Sequence, residues 1–267
     1  MVGRLGIALA AGTLALTSCG GAVHPSGGAT IVRYRLHSAL LHRDVDQTIV
    51  LPSGAAAGRP LLVLLHGRSS NAGQFLSSQF FTELQRLGRR APVVLLPSGG
   101  DHSYFHDRSD GPWGFYVIRE AIPAALRRTR ADLHRIAIGG ISMGGFGALD
   151  LARLYPLRFC AVGGHSAALW QHGGDTPSGA FDDAADFDRN DVVGAAARGN
   201  PYGRTPVWID VGRDDPFLDA DTTLVHDLRR HGGRVTFQLH AGGHSGWGGR
   251  MAEYLRFYAR SLAACTR

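Results

Sequence analysis

The chain has 267 residues, 44% of them hydrophobic, which suits one large α/β domain with a sizeable core. Apart from 37 glycines, its composition is that of an ordinary globular protein. A net charge of +6 favours anionic surfaces such as lipid headgroups or cell-wall polymers, but no basic run or RNA-binding signature is present, so nucleic acid is not an expected partner.

Residues 1–18 read as a secretory leader: Arg4 is the lone charge, Leu5 to Leu16 form an apolar core, and small residues follow. The core is too short for a comfortable membrane span. Leu16-Thr17-Ser18-Cys19 resembles the lipobox of bacterial lipoproteins, so Cys19 is the expected lipidation site; a plain signal peptide with a chance cysteine is the alternative. Residues 19–30, rich in Gly and small residues, read as a flexible tether. A lipid-anchored, exported protein on the extracytoplasmic face of the cell membrane is the expectation, with residues 31–267 as one domain.

Ile31–Leu36 and Thr48–Leu51 read as two opening strands, antiparallel to each other. Leu61 to Leu65 is five consecutive aliphatics, a strand buried on both faces, and it runs into the turn His66-Gly67-Arg68. Helical spacing of Phe75, Phe80, Phe81, Leu84 and Leu87 predicts a helix stopped by Gly88. Val93–Leu96 is a strand closed by Pro97, and Ser98–Gly114 is a loop long enough to be functional. Phe115–Arg130 reads as a helix with a kink or restart at Pro123. Ile136–Ile138 is a strand, Phe146–Leu154 a helix, and Phe159–Val162 the next strand, ending in Gly163-Gly164-His165-Ser166. Residues 167–201 show no strand pattern and read as an insertion over the sheet's carboxyl edge. Val207–Val211, Leu218–His231, Val235–Leu239 and Met251–Leu262 close the chain as strand, helix, strand and helix. The alternation predicts a mostly parallel sheet with helices on both faces and a site at the carboxyl ends of its strands.

Gly140-Ile141-Ser142-Met143-Gly144 fits G-x-S-x-G between a strand and a helix. In that pattern a serine sits on a strained turn that small neighbours permit, and the next amide, Met143 N–H, opens a helix near a forming oxyanion. A serine nucleophile needs a base and a group to orient it. Asp210-Val211-Gly212-Arg213-Asp214-Asp215 follows a strand, and Gly242-Gly243-His244-Ser245 follows the last one. The order Ser142, then Asp, then His244 is that of an α/β-hydrolase triad, with His240 as rival base. The second oxyanion donor is expected at Arg68 N–H, after the strand ending at Leu65.

Together, LLVLLHG (61–67), LLPSGG (95–100), GISMGGFGAL (140–149), DVGRDDPFL (210–218) and GGHSGW (242–247) resemble the esterase D or "putative esterase" family of serine α/β-hydrolases over roughly residues 45–262. The resemblance implies an α/β-hydrolase fold and hydrolysis of a small-molecule or cell-envelope ester through a serine acyl-enzyme, with no cofactor and no metal. It also implies that the acid is the Asp of G-x-x-D, which maps to Asp215, with Asp214 as the alternative. An export signal argues against the intracellular formaldehyde chemistry of the family's S-formylglutathione hydrolases. Acyl transfer through the same acyl-enzyme and non-catalytic surface binding are the competing readings.

Asp101, His102, His106 and Asp107 read as a solvated active-site loop rather than metal ligands. The run Asp182, Asp183, Asp186, Asp188 and Asp191 reads as solvated or helix-capping, lacking the glycine and glutamate of a calcium loop. Cys160 and Cys265 are expected to meet at the amino-terminal edge of the sheet and to bond there. The alternative is a buried Cys160 with Cys265 loose at a frayed terminus.

Overall fold

The computed structural model describes residues 28–266, so the leader and Cys19 lie outside the described residues. The chain begins with β1 (Thr30–Ser38), β2 (Arg43–Leu51), β3 (Pro60–Leu65), α1 (Ser78–Leu87) and β4 (Val93–Pro97). A two-residue hairpin, β5 (Asp107–Arg108) and β6 (Gly111–Pro112), interrupts the long loop before α2 (Trp113–Tyr116) and α3 (Ile122–Thr129). Then come β7 (Asp132–Ile141), α4 (Met143–Leu154), β8 (Val162–His165), α5 (Ala184–Arg189) and α6 (Val192–Arg198). The last units are β9 (Val207–Gly212), α7 (Leu218–Arg230), β10 (Val235–His240) and α8 (Trp247–Ala263). Eight strands form one sheet in the order β1-β2-β4-β3-β7-β8-β9-β10. The β1–β2 and β2–β4 pairs are antiparallel and the remainder are parallel, as the alternation of strands and helices requires.

Successive side chains on a strand face opposite ways, and β3 divides its aliphatics accordingly. Leu61, Val63 and Leu65 join the core layer that includes Tyr116, Phe146 and Leu149. Leu62 and Leu64 join the other, with Phe80, Leu84, Tyr254 and Leu255 from α1 and α8. Every residue of β3 is buried, which is why the segment reads as an unbroken apolar run.

Local differences from the sequence expectations have physical causes. The second strand extends back to Arg43, because β1 pairs with it along its full length, from Thr30↔Leu51 to Ser38↔Arg43. Helix α1 starts at Ser78, capped by the Ser77 hydroxyl on the Phe80 amide, while buried Phe75 belongs to a preceding 3₁₀ turn. The 115–130 helix is three pieces. A π turn over 117–121 separates α2 from α3, just before Pro123, which brings no N–H to the ladder. The final helix begins at Trp247 rather than Met251.

The expected strand at 159–162 lies at 162–165, so its glycines are interior rather than terminal. A Cβ at Gly163 would stand 2.0 Å from the Tyr258 hydroxyl, and one at Gly139 on β7 would stand 1.7 Å from it. These two glycines pair across β7 and β8 and leave the space that Tyr258 fills from α8. Cys160 and Cys265 are disulfide-bonded with Cα atoms 5.7 Å apart, tying the end of α8 to the approach to β8. The 167–201 segment holds α5 and α6 and no strand.

Candidate active site

The turn between β7 and α4 is as compressed as G-x-S-x-G implies. Ser142 has φ 54° and ψ −116°, a conformation that costs a side-chain-bearing residue energy. The surroundings hold it there: Ser142 N–H donates to the His165 carbonyl at 3.0 Å, and its own carbonyl accepts from Phe146 N–H at 3.0 Å and Ala168 N–H at 3.1 Å. A Cβ at Gly144 would lie 2.0 Å from the Leu65 carbonyl oxygen, and one at Gly140 would lie 2.2 Å from that of Gly144. Only glycine fits either place.

The structure brings Ser142, His244 and Asp215 into one hydrogen-bonded line. Ser142 Oγ is 2.8 Å from His244 Nε2, and His244 Nδ1 is 2.9 Å from Asp215 Oδ2. Asp215 Oδ1 accepts from the Phe217 amide at 3.0 Å. Burial pushes the Asp215 carboxyl up, but the hydrogen bonds from His244 and Phe217 outweigh it and leave the group below the usual carboxylate range. An ionised Asp215 fixes the hydrogen of His244 on Nδ1, which leaves the Nε2 lone pair for the serine hydroxyl. The imidazole is flanked by the Phe217 ring at 5.1 Å and the Trp247 ring at 5.3 Å.

The two rivals point elsewhere. Asp214 is exposed, and its backbone amide donates to the Gly242 carbonyl at 3.1 Å. His240 has Nε2 3.7 Å from Asp210 and Nδ1 3.1 Å from the Ala241 carbonyl oxygen, away from Ser142.

The turn after β3 packs against this elbow: a Cβ at Gly67 would lie 3.6 Å from the Ile141 carbonyl oxygen. Gly67 N–H donates to Gln74 Oε1 at 2.8 Å and Ser69 N–H to the Asp101 carbonyl at 2.9 Å. The intervening Arg68 amide makes no backbone hydrogen bond among the described residues. Met143 opens α4, so its N–H has no intrahelical acceptor. His66 braces the turn from below. Its Nε2 accepts from Gly99 N–H at 2.9 Å, so Nδ1 carries the hydrogen and donates to the Gly67 carbonyl at 2.8 Å. Burial lowers its pKa and keeps it uncharged. The Arg68 guanidinium is engaged with the Tyr104 hydroxyl.

A second polar cluster lies beneath the site, and sequence reasoning assigned it no role. Asp210 Oδ1 accepts from His165 Nδ1 at 2.7 Å and Trp208 Nε1 at 2.8 Å, while Oδ2 accepts from the Tyr254 hydroxyl at 2.7 Å. His165 Nε2 in turn accepts from the Tyr258 hydroxyl at 2.9 Å. Asp210 is fully buried, which pushes its carboxyl up, yet the His165 bond and the two further donors bring it below the usual range. The cluster ties β8, β9 and α8 together, and the His165 carbonyl at its upper end is the one that holds the Ser142 amide.

The loop divides: Asp101 is exposed and His102 half-exposed, as a solvated loop requires, but His106 is packed inside. His106 is buried, with Nε2 3.0 Å from the Ala180 carbonyl oxygen and Nδ1 3.6 Å from Asp186. Asp183 and Asp191 cap α5 and α6, as the capping reading expected. Among the described residues no three potential ligands gather as a metal site.

Known proteins share this arrangement of strands and helices. An S-formylglutathione hydrolase structure from Agrobacterium tumefaciens superposes with a TM-score of 0.75 at 20% identity, covering 91% of this chain and 98% of that one. At that identity the likeness establishes the α/β-hydrolase fold. The acetyl esterase of Caldicellulosiruptor saccharolyticus is 28% identical over 209 residues, which is 68% of this chain and 76% of that protein. Esterase Rv1288 of Mycobacterium tuberculosis (strain ATCC 25618 / H37Rv) is 28% identical over 143 residues, half of this chain; the match spans only 31% of that longer protein. Residues 38–246 match the family model described as putative esterase, and the chain belongs to that family of α/β-hydrolases.

Proposed function

We propose that this esterase-family member hydrolyses carboxylic esters through an acyl-enzyme on Ser142. The observation that carries the reading is the continuous line Ser142 Oγ–His244 Nε2, His244 Nδ1–Asp215 Oδ2, at 2.8 and 2.9 Å. Ser142 Oγ attacks the ester carbonyl carbon as His244 Nε2 takes its proton. The carbonyl oxygen becomes an oxyanion, held by the Met143 and Arg68 amides. The imidazolium, stabilised by Asp215, gives the proton to the departing alkoxide, and the C–O bond breaks to leave an acyl-serine. Water then repeats the sequence: His244 takes its proton, the second tetrahedral intermediate collapses, and Ser142 Oγ leaves as the hydroxyl with that proton. Every proton transfer runs through groups already in contact.

The test is Ser142→Ala. The variant is expected to fold, to lose hydrolysis of p-nitrophenyl acetate by about 10³-fold or more, and to lose labelling by a fluorophosphonate probe. Activity within tenfold of the parent would move the chemistry to another residue. Product analysis with an added alcohol acceptor separates hydrolysis from acyl transfer.

The same reading includes export and a lipid anchor on Cys19. It is supported by the leader-like residues 1–18, the lipobox-like Leu16–Cys19, and a disulfide of the kind that persists outside the reducing cytosol. Protein from a lipoprotein-processing host is expected to partition into detergent, and Cys19→Ala to shift it to the aqueous phase. An unmodified parent protein recovered wholly from the medium would overturn the anchor.

A further inference from the structure

The sheet places the candidate active site and the chain's entry at opposite edges. Ser142 follows the carboxyl end of β7, whereas β1 enters at Thr30, paired with Leu51, and β2 runs antiparallel to β4 with Val50 opposite Val94. Thr30 therefore lies at the amino-terminal edge of the parallel strands. Ten residues of β7 separate that edge from Ser142, roughly 30 Å of extended strand.

Arginine is concentrated at the entry edge. Gly28 sits beside Ser53, and Ser53 shares a groove of about 700 Å³ with Arg59, Arg89 and Arg135. Next to it, the ends of α1 and α8 form a second groove of about 620 Å³, lined by Arg86, Arg90, Arg256, Arg260 and a single acid, Glu83. Glu83 lies 3.9 Å from Arg86 and 4.0 Å from Arg256. Arg89, Arg90 and Arg260 are exposed and take part in no ion pair among the described residues. The opposite edge has the other sign: its segments 98–112 and 167–191 carry nine aspartates against two arginines, Arg108 and Arg189. Only nine residues run from Cys19 to Gly28, a reach of at most about 30 Å, so an anchor at Cys19 keeps the arginine edge near the bilayer surface.

We propose that the face formed by Arg86, Arg89, Arg90, Arg256 and Arg260 docks on anionic lipid headgroups and turns Ser142 away from the membrane. The orientation rests on the Cys19 anchor; the lipid-binding face does not. Unpaired guanidinium groups bind phosphate oxygens directly, and the aspartate-bearing loops are repelled by the same surface. The substrate class follows from the geometry. An active site held about 30 Å above its own bilayer serves esters presented from the envelope or in solution, not the acyl chains of the lipid beneath it.

The test uses full-length Cys19→Ala protein, so that no acyl chain contributes, and sedimentation with phosphatidylcholine vesicles with or without 30% phosphatidylglycerol. Each arginine near such a surface strengthens binding roughly fivefold at low salt. Binding to the anionic vesicles is expected to exceed that to neutral ones by at least about tenfold and to vanish at about 0.5 M salt. The triple variant Arg89→Gln/Arg90→Gln/Arg260→Gln is expected to lose at least about tenfold, whereas Arg43→Gln/Arg189→Gln/Arg213→Gln, an equal charge change on exposed residues at the active-site edge, retains it. Equal binding to both vesicle types, equal losses in the two triples, or binding to a soluble anionic polysaccharide in place of vesicles would each overturn the proposal. Thermal melting of each variant checks folding. Hydrolysis of p-nitrophenyl acetate by the Cys19→Ala parent is read alongside: its absence would sink the esterase reading and leave the lipid result standing.

Discussion

Replacing Asp215 by Asn should disable the site through one hydrogen atom. Asp215 Oδ1 accepts from the Phe217 amide at 3.0 Å, and Oδ2 faces His244 Nδ1 at 2.9 Å. An asparagine of the same shape satisfies the Phe217 donor only with its carbonyl oxygen at the Oδ1 position. Its NH₂ then points at His244 Nδ1, which must become an acceptor. The ring hydrogen moves to Nε2, where the serine hydroxyl needs a lone pair, and the charge that steadies the imidazolium is gone as well. Loss of tautomer and charge together is worth about 10⁴-fold in kcat in serine proteases with this constellation, roughly 5 kcal/mol of barrier. Asp214→Asn changes an exposed side chain one residue away and should stay within about threefold of the parent. Steady-state hydrolysis of p-nitrophenyl acetate at pH 7.5, with melting temperatures to show that both variants fold, measures the difference. A loss of less than tenfold for Asp215→Asn, or a larger loss for Asp214→Asn, would refute the assignment of the acid.

Gly144→Ala puts a methyl group 2.0 Å from the Leu65 carbonyl oxygen, so the elbow must open. At least about 100-fold should disappear from kcat, since a misplacement of about 1 Å has that effect, and parent-like kinetics would show that the turn is not under this constraint. Asp221 is fully buried on α7 with neither carboxyl oxygen hydrogen-bonded among the described residues, and burial, then the charges of Asp215 and Asp210, hold its pKa well above the usual range. Such an acid is protonated in the fold, so the unfolded chain gains by ionising it once pH passes about 4, and folding loses that much stability. Asp221→Asn should therefore raise the melting temperature at pH 7 relative to the parent and change it far less near pH 3.5; equal shifts at both pH values would refute the unpaired, protonated state.

The sequence is most legible where one short stretch sets the geometry by itself. Five aliphatics at Leu61–Leu65 have no other home than a strand covered on both faces, and all are buried. Gly140 and Gly144 flank Ser142 because the local turn excludes any larger residue, so that spacing, set between a strand and a helix, locates the elbow. His244 and the pair Asp214–Asp215 follow because they stand in loops directly after strands that the alternation makes parallel, while the choice of Asp215 within that pair comes from the G-x-x-D of the family the chain resembles.

Roles set by three elements at once are not legible in this way. His165 and Asp210 sit opposite each other in the β8–β9 register, 45 residues apart in sequence, and their bond exists only once that register is fixed. The displaced β8 has the same origin. Gly163 and Gly164 resemble the end of a strand to any local reading, since glycine weakens strand interiors. Gly163 is interior because Tyr258, on a helix more than ninety residues later, needs that space and the space at Gly139 to reach His165 Nε2. The missing side chains in β7 and β8 are thus the imprint of a side chain in α8. That tyrosine–histidine–aspartate chain ends beneath the carbonyl that fixes the Ser142 amide. The glycines that obscured the strand belong to the support of the residue that the sequence marks most plainly.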